Sequence, residues 1–177
     1  MTINPIKQTY THSCLAVCLL MLKNSNHSQE TEKKIWEKGS ERNHDFYVTG
    51  IADEFCSLTK NKLRIIADNN YFTKILKKSS DKKNFHSVEH QKITMKLMSE
   101  LLTHGAIICH IDNNLLGDYS HSSHFIVLEK ELPNEKILII DPWTGKKTRV
   151  SFQKLEASIA SLKKHIKMCP LLIVIDD

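Results

Sequence analysis

Five short runs rich in β-branched and aliphatic residues follow one another after Gly105: AIICHI (106 to 111), HFIVLEKEL (124 to 132), KILIID (136 to 141), KTRVSF (147 to 152) and LLIVID (171 to 176). Runs of this length and composition are strands. The turn formers PNE and PWTG separate three of them into consecutive hairpins. A helix over about residues 152 to 164 interrupts the series, and the polar segment 112 to 123 is a loop leading into the strand that begins near His124. A chain with helices before such a series and an antiparallel sheet within it belongs to the α+β class, with N-terminal helices packed on a C-terminal antiparallel sheet.

The first hundred residues carry the helical patterns. From Cys14 to Lys23 the apolar residues are nearly continuous, which predicts a helix buried on most sides with Ser13 as its N-cap. A second helix is expected over about residues 28 to 38, where Glu30 and Glu32 precede two lysines in the order that suits a helix dipole. In VTGIADEFCSLTKN (48 to 61), Ile51, Phe55 and Leu58 fall on one helical face, and LRIIADN after it is a short strand. HQKITMKLMSELLTHG (90 to 105) reads as a helix with Ile93, Leu97 and Leu101 four apart and Gly105 at C′.

The chain has 177 residues, 41% hydrophobic and 25% charged, a size and composition that predict one globular domain over residues 1–177. Its net charge of 25 − 20 = +5 is carried partly in KILKKSSDKK (74 to 83), expected to be a solvated face. No stripe of arginines with interleaved aromatics accompanies it, so nucleic acid is not an expected partner. Cysteines 14, 18, 56, 109 and 169 are odd in number and form no CxxC pair, which predicts reduced thiols. The apolar run after Cys14 is preceded by a single Lys and followed by KNSNHSQE without a small-residue cleavage site, so it does not read as a signal peptide. It is also too short to span a bilayer. The expected location is the cytoplasm, or outside it by a route without a Sec-type signal.

A cysteine becomes a nucleophile when its thiolate is stabilised, and the start of a helix supplies partial positive charge for that. Cys14 occupies such a start, whereas Cys18 lies one turn further in. Taken alone, Cys14 is equally the small buried cysteine of a core. His124 stands at the start of one strand and Asp141 at the end of the next, so a hairpin brings both to one end of the sheet. A carboxylate holding a His that faces a Cys at a helix start is the arrangement of thiol acyl-transfer sites. His121, three residues before His124, competes for the role of base.

QTYTHSCLAVCLLML (8 to 22) resembles the N-terminal motif of the C39 family of papain-like cysteine peptidases, a Gln, five residues, the Cys and an apolar helix. SHFIVLEKELPNEKILIIDPWTGKKTRVSFQKLEASI resembles the family's second motif, a His opening an apolar strand, a hairpin, Asp-Pro, a Gly turn and a helix. VTGIADEFCSLTKNKLRIIADN and LMSELLTHGAIICHI follow the intervening pattern more loosely, so the likeness spans most of the chain. The resemblance implies a papain-like fold and a peptidase without cofactor acting on a peptide or protein substrate. It implies Cys14 as nucleophile, His124 as general base and then acid, Asp141 as the residue orienting the imidazole, and Gln8 as a side-chain donor to the oxyanion beside the Cys14 N–H. Leu15 departs from the family, which usually carries Gly after the Cys, and is expected to crowd the oxyanion hole or reshape the groove. The 177 residues hold no transporter segment of the kind fused to bacteriocin-processing members. Two rivals keep the same residues: an acyl or peptidyl transferase using the same thioester, and an inactive module that holds a peptide without cutting it.

Other signals are weaker. HSVEH (86 to 90) matches the HxxEH pattern of inverted zinc peptidases, but it lies where a helix is expected to start, with Ser87 as its cap. Cys14 and Cys18 near His12 would make a metal site only outside the apolar setting in which they occur. Trp36 and Trp143 suit a core or rim, with Trp143, next to Asp141, placed to line a groove near the site.

Overall fold

The computed structural model of the chain describes residues 2–24, 27–42, 47–79, 86–117 and 119–176. Six helices, α1 (Cys14–Leu22), α2 (Gln29–Arg42), α3 (Tyr47–Thr59), α4 (Asn70–Ser79), α5 (Met95–Leu102) and α6 (Phe152–Ser161), pack on seven strands. The strands are β1 (Lys62–Ala67), β2 (His86–His90), β3 (Ile107–Asp112), β4 (Ser123–Leu132), β5 (Lys136–Asp141), β6 (Lys146–Ser151) and β7 (Leu171–Asp176). They form one sheet in the order β2-β1-β7-β3-β4-β5-β6. Among the described residues no helix is long and apolar enough to cross a membrane.

The central strands read as continuous apolar runs because both their faces are covered. On β4, Phe125 and Val127 face a core shared with Leu15, Leu19 and Met21 of α1, Ile35 of α2 and Phe55 of α3. Ile126 and Leu128, one residue out of phase, face a second core with Leu97, Met98 and Leu101 of α5 and Leu155 and Ile159 of α6. The sheet is therefore the middle layer, with helices on both sides. Close approach of α2 and α3 requires glycine, since a Cβ on Gly50 would stand 2.0 Å from the Gly39 carbonyl oxygen.

The structure corrects several expectations. The sheet is neither wholly antiparallel nor confined to the C-terminal half: β1 joins β7 antiparallel, with Ile65 opposite Ile173, and β2 lies parallel to β1, with Val88 opposite Ile65. β2 is HSVEH, expected at a helix start with Ser87 as cap. His86 and Val88 are buried while Ser87 is exposed, so the period of two governs the segment and sheet pairing satisfies its backbone. The lysines of KILKKSSDKK concealed α4, whose Thr73 and Leu76 are buried; residues 80–83 of that run lie outside the described residues. The helix expected from residue 90 begins only at Met95, where Thr94 caps it by accepting from the Leu97 N–H, and it ends before Thr103, so Gly105 lies beyond the C′ position. Leu58 is 39% exposed and does not share the burial of Ile51 and Phe55. The segment expected as a loop holds a 3-10 turn at Asn113–Leu116, and α6 runs on through a wide turn, Leu162–Ile166.

Candidate functional site

α1 lies on β4, and a buried contact registers the two: the Cys18 thiol donates to the Phe125 carbonyl at 3.4 Å. Cys14 stands one turn before Cys18, about 6 Å back along the axis. His124 stands one residue before Phe125. The packing of a plain core cysteine thereby sets Cys14 against His124, and both line a cleft of about 830 Å³ together with Trp36, Tyr47, Ser123 and Trp143. β5 runs antiparallel to β4, so its last residue, Asp141, returns to the same end of the sheet.

His124 Nε2–H donates to Asp141 Oδ1 at 2.8 Å, and the Trp143 N–H donates to the same oxygen at 2.9 Å. Both side chains are largely enclosed, at 7% and 13% exposure. With Nε2 engaged by Asp141, the other ring nitrogen of His124 is left for Cys14, which lines the same cleft. Burial opposes the imidazolium, but the bond to Asp141, the bond to Cys14 and the charges of both outweigh it and push His124 up to about 9. Burial would likewise lift the Asp141 carboxyl, yet the hydrogen bond and charge of His124, with the Trp143 N–H, hold it below its ordinary value.

The other thiols stand apart from this environment. Burial, with the nearby Cys14 and Asp141 charges adding to it, pushes the Cys18 thiol well up. Cys56 is raised to about 12 by burial and the charge of Asp53, Cys109 is raised by burial alone, and Cys169 is raised mainly by burial. All five cysteines are free.

Gln8 is brought beside this end of the sheet by its N–H, which donates to the Pro142 carbonyl at 2.7 Å. The approach depends on Gly145, whose φ of +66° and missing Cβ leave room for Lys7. The Gln8 amide, however, is turned onto its own loop: Nε2 donates to the carbonyls of Tyr10 at 2.7 Å and Thr11 at 3.1 Å, and Oε1 is buried without a hydrogen-bond partner among the described residues. Ser13 sits at the N-cap position but does not cap; its hydroxyl is directed to the Tyr10 carbonyl and to Glu32. Leu15 is wholly buried in the core and lines no part of the cleft, which removes the expected crowding.

His121 is placed elsewhere. Its Nδ1–H donates to Asp112 Oδ2 at 2.6 Å, and its ring stacks on His165. Asp112 also accepts from Ser161 and from the Asn114 and Ser122 N–H groups, so His121 belongs to a structural knot around the loop. His86 and His90, four apart on a strand, are separated by about 13 Å of backbone and cannot share an ion. Trp143 lines the cleft, as does Trp36, which stacks on Tyr10.

Sequence reasoning missed three neighbours of the site. Glu32 receives Thr9 N–H, Tyr10 N–H and Ser13 hydroxyl bonds from across the fold. His110, buried against Phe125, donates from Nδ1 to the Cys169 carbonyl, and burial drives it down to about 4, so its Nε2 is free to accept the Ser123 hydroxyl at 2.7 Å. Tyr47, on the wall of the same cleft as Ser123, is raised to about 12 mainly by burial and also by the charge of Cys14. No local pattern announces these residues, because each acts through a partner distant in sequence.

No family model and no curated protein matches the sequence. Among solved structures the chain is similar to the crystal structure of the peptidase domain of Streptococcus ComA, a bi-functional ABC transporter involved in a quorum-sensing pathway. The two are 16% identical, the alignment covers 98% of each chain, and the TM-score is 0.55. The chain thus shares the α+β fold of that peptidase domain.

Proposed function

We propose that this chain is a cysteine peptidase that hydrolyses a peptide bond of a peptide or protein substrate through Cys14, His124 and Asp141. The observation that carries the reading is His124 held between the Asp141 carboxylate, at 2.8 Å, and Cys14 at the start of α1, with Cys14 and His124 on the wall of one open cleft. The Cys14 thiolate attacks the substrate carbonyl carbon, and the carbonyl electron pair moves onto oxygen. The His124 imidazolium then gives its proton to the departing amine, leaving a thioester. Water attacks that thioester, His124 takes its proton, and the acid is released as the thiolate returns. Asp141 keeps the ring oriented and favours its charged form. The Cys14 N–H, at the first position of α1, has no intrahelical acceptor and faces the oxyanion. Gln8 joins it by releasing the longer of its two amide contacts, that to Thr11.

Alkylation by iodoacetamide across pH, mapped by mass spectrometry, tests the reading. Cys14 is expected to label selectively at pH 6, with the other four cysteines silent, and His124→Ala to remove that selectivity. Labelling of Cys14 no faster than that of free cysteine in the native protein would overturn it.

A further inference from the structure

Glu32 lies on α2 and takes no part in the proton transfers described above. Its side chain is wholly buried, and a carboxylate without water is destabilised unless donors replace it. His27 donates to Oε2 at 2.7 Å. The donors on Oε1 all come from the segment leading into Cys14: the Thr9 N–H at 2.7 Å, the Tyr10 N–H at 3.3 Å and the Ser13 hydroxyl at 2.5 Å. Those bonds, Ser13's above all, hold the carboxyl below its ordinary value against the opposing effect of burial, so it stays charged.

Two consequences meet at Cys14. A serine at an N-cap ordinarily turns its oxygen to the N–H groups of the first helical turn. Here Glu32 draws the Ser13 hydroxyl away, and no side-chain cap bond forms. The amides that such a cap would engage, those of Leu15 and Ala16, lie in the core, so the Ser13 bond to Glu32 serves instead to fix the residue before Cys14. At the same time the Thr9 and Tyr10 bonds hold the turn whose carbonyls, at Tyr10 and Thr11, receive the Gln8 amide.

We infer that Glu32 is a positioning residue that builds the oxyanion-binding turn from Gln8 to Ser13. This rests on the peptidase reading. It separates two reactivities of Cys14. Displacement of iodide from iodoacetamide passes through no oxyanion and depends on the thiolate, which α1, Cys18 and His124 hold in place. Acylation by p-nitrophenyl acetate forms a tetrahedral oxyanion before p-nitrophenolate leaves and the acetyl thioester remains.

The test measures both rates at Cys14 in the full chain and in Glu32→Ala and Glu32→Gln. In Glu32→Ala, acylation is expected to fall about 100-fold, the scale of a misplaced reacting geometry, with alkylation changed less than about threefold. Glu32→Gln keeps an acceptor for Thr9 and Tyr10, so it should restore most of the acylation yet still lower the ratio of acylation to alkylation. Equal loss of both rates in Glu32→Ala, or unchanged acylation, overturns the inference. If Glu32→Ala does not fold, the ratio in Glu32→Gln decides: a fall supports the role and an unchanged ratio overturns it. A native Cys14 that reacts with neither reagent faster than free cysteine overturns the peptidase reading and this role with it. An activated native Cys14 with an unchanged ratio in both variants overturns the role of Glu32 alone.

Discussion

Two groupings of Cys, His and Asp differ in their setting: one opens onto a cleft and the other is closed in by the core. At the end of β4 and β5, His124 binds Asp141 at 2.8 Å and faces Cys14. Between α3 and β2, His86 binds Asp53 at 2.9 Å, one helical turn from Cys56. The distances are nearly equal, and the surroundings are opposite. His86 is fully enclosed, its Nε2 has no hydrogen-bond partner among the described residues, and the Cys56 thiol is pushed up to about 12 by burial and by Asp53. Around His124 the hydrogen bonds and charges overcome burial and hold the imidazolium to about 9. A histidine paired with a carboxylate is thus a packing device wherever the backbone closes over it. It becomes chemistry only where a helix start and a sheet end leave a gap beside it.

The comparison can be broken by mutation. The largest effect is expected at the partition between cleft and core, where Cys14 and Leu15 are neighbours facing different ways. If Leu15 serves the core alone, Leu15→Gly should lower stability by about 4 kcal/mol without raising Cys14 reactivity, read by denaturant melting and by alkylation. Asp141→Asn keeps a hydrogen-bond acceptor for His124 but removes the charge. Turnover should fall about 100-fold, and the alkaline limit of the pH profile should move down from about 9. Asp53→Asn, the same change at the enclosed pair, should cost about 2 kcal/mol of stability and leave the pH profile where it was. Loss of turnover in Asp53→Asn would erase the distinction between the two pairs.

The smallest effect concerns stability against pH. The His124 value is raised on folding, so the stabilisation it brings is complete below its unfolded value of about 6.5 and is lost as pH rises through about 9. The native protein should lose about 5 °C of melting temperature, relative to His124→Ala, between pH 6 and pH 9.5. A constant difference across that range would detach His124 from the Asp141 and Cys14 charges.

β3, β4, β5 and β7 were legible as apolar runs, which strands covered by helices require, whereas the edge strand β6 was marked by the turn formers before it and by Thr148 and Val150. β2 was not, since HSVEH carries a single aliphatic residue and only Val88 opposite Ile65 shows what it pairs with. α4 was concealed for a related reason: its lysines face solvent, and the few side chains that anchor it, Thr73 and Leu76, are spaced too sparsely to stand out. At the site, the helix start at Cys14 and the strand ends at His124 and Asp141 singled out three residues, and Gln8 followed only from the resemblance of its motif. Their mutual placement came from Cys18 binding the Phe125 carbonyl, and the direction of the Gln8 amide from the carbonyls of Tyr10 and Thr11.

The sequence by itself determined the helices and strands whose hydrophobic period is local, and the identities of the Cys, His, Asp and Gln set at their ends. Tertiary structure alone decided which His and Asp pair opens to solvent, that Leu15 turns to the core, and that Glu32 takes the Ser13 hydroxyl. Periodicity is a property of neighbours along the chain. Access, charge stabilisation and the direction of a donor depend on groups far apart in the chain, 107 residues in the case of Cys18 and Phe125, and only packing brings those together.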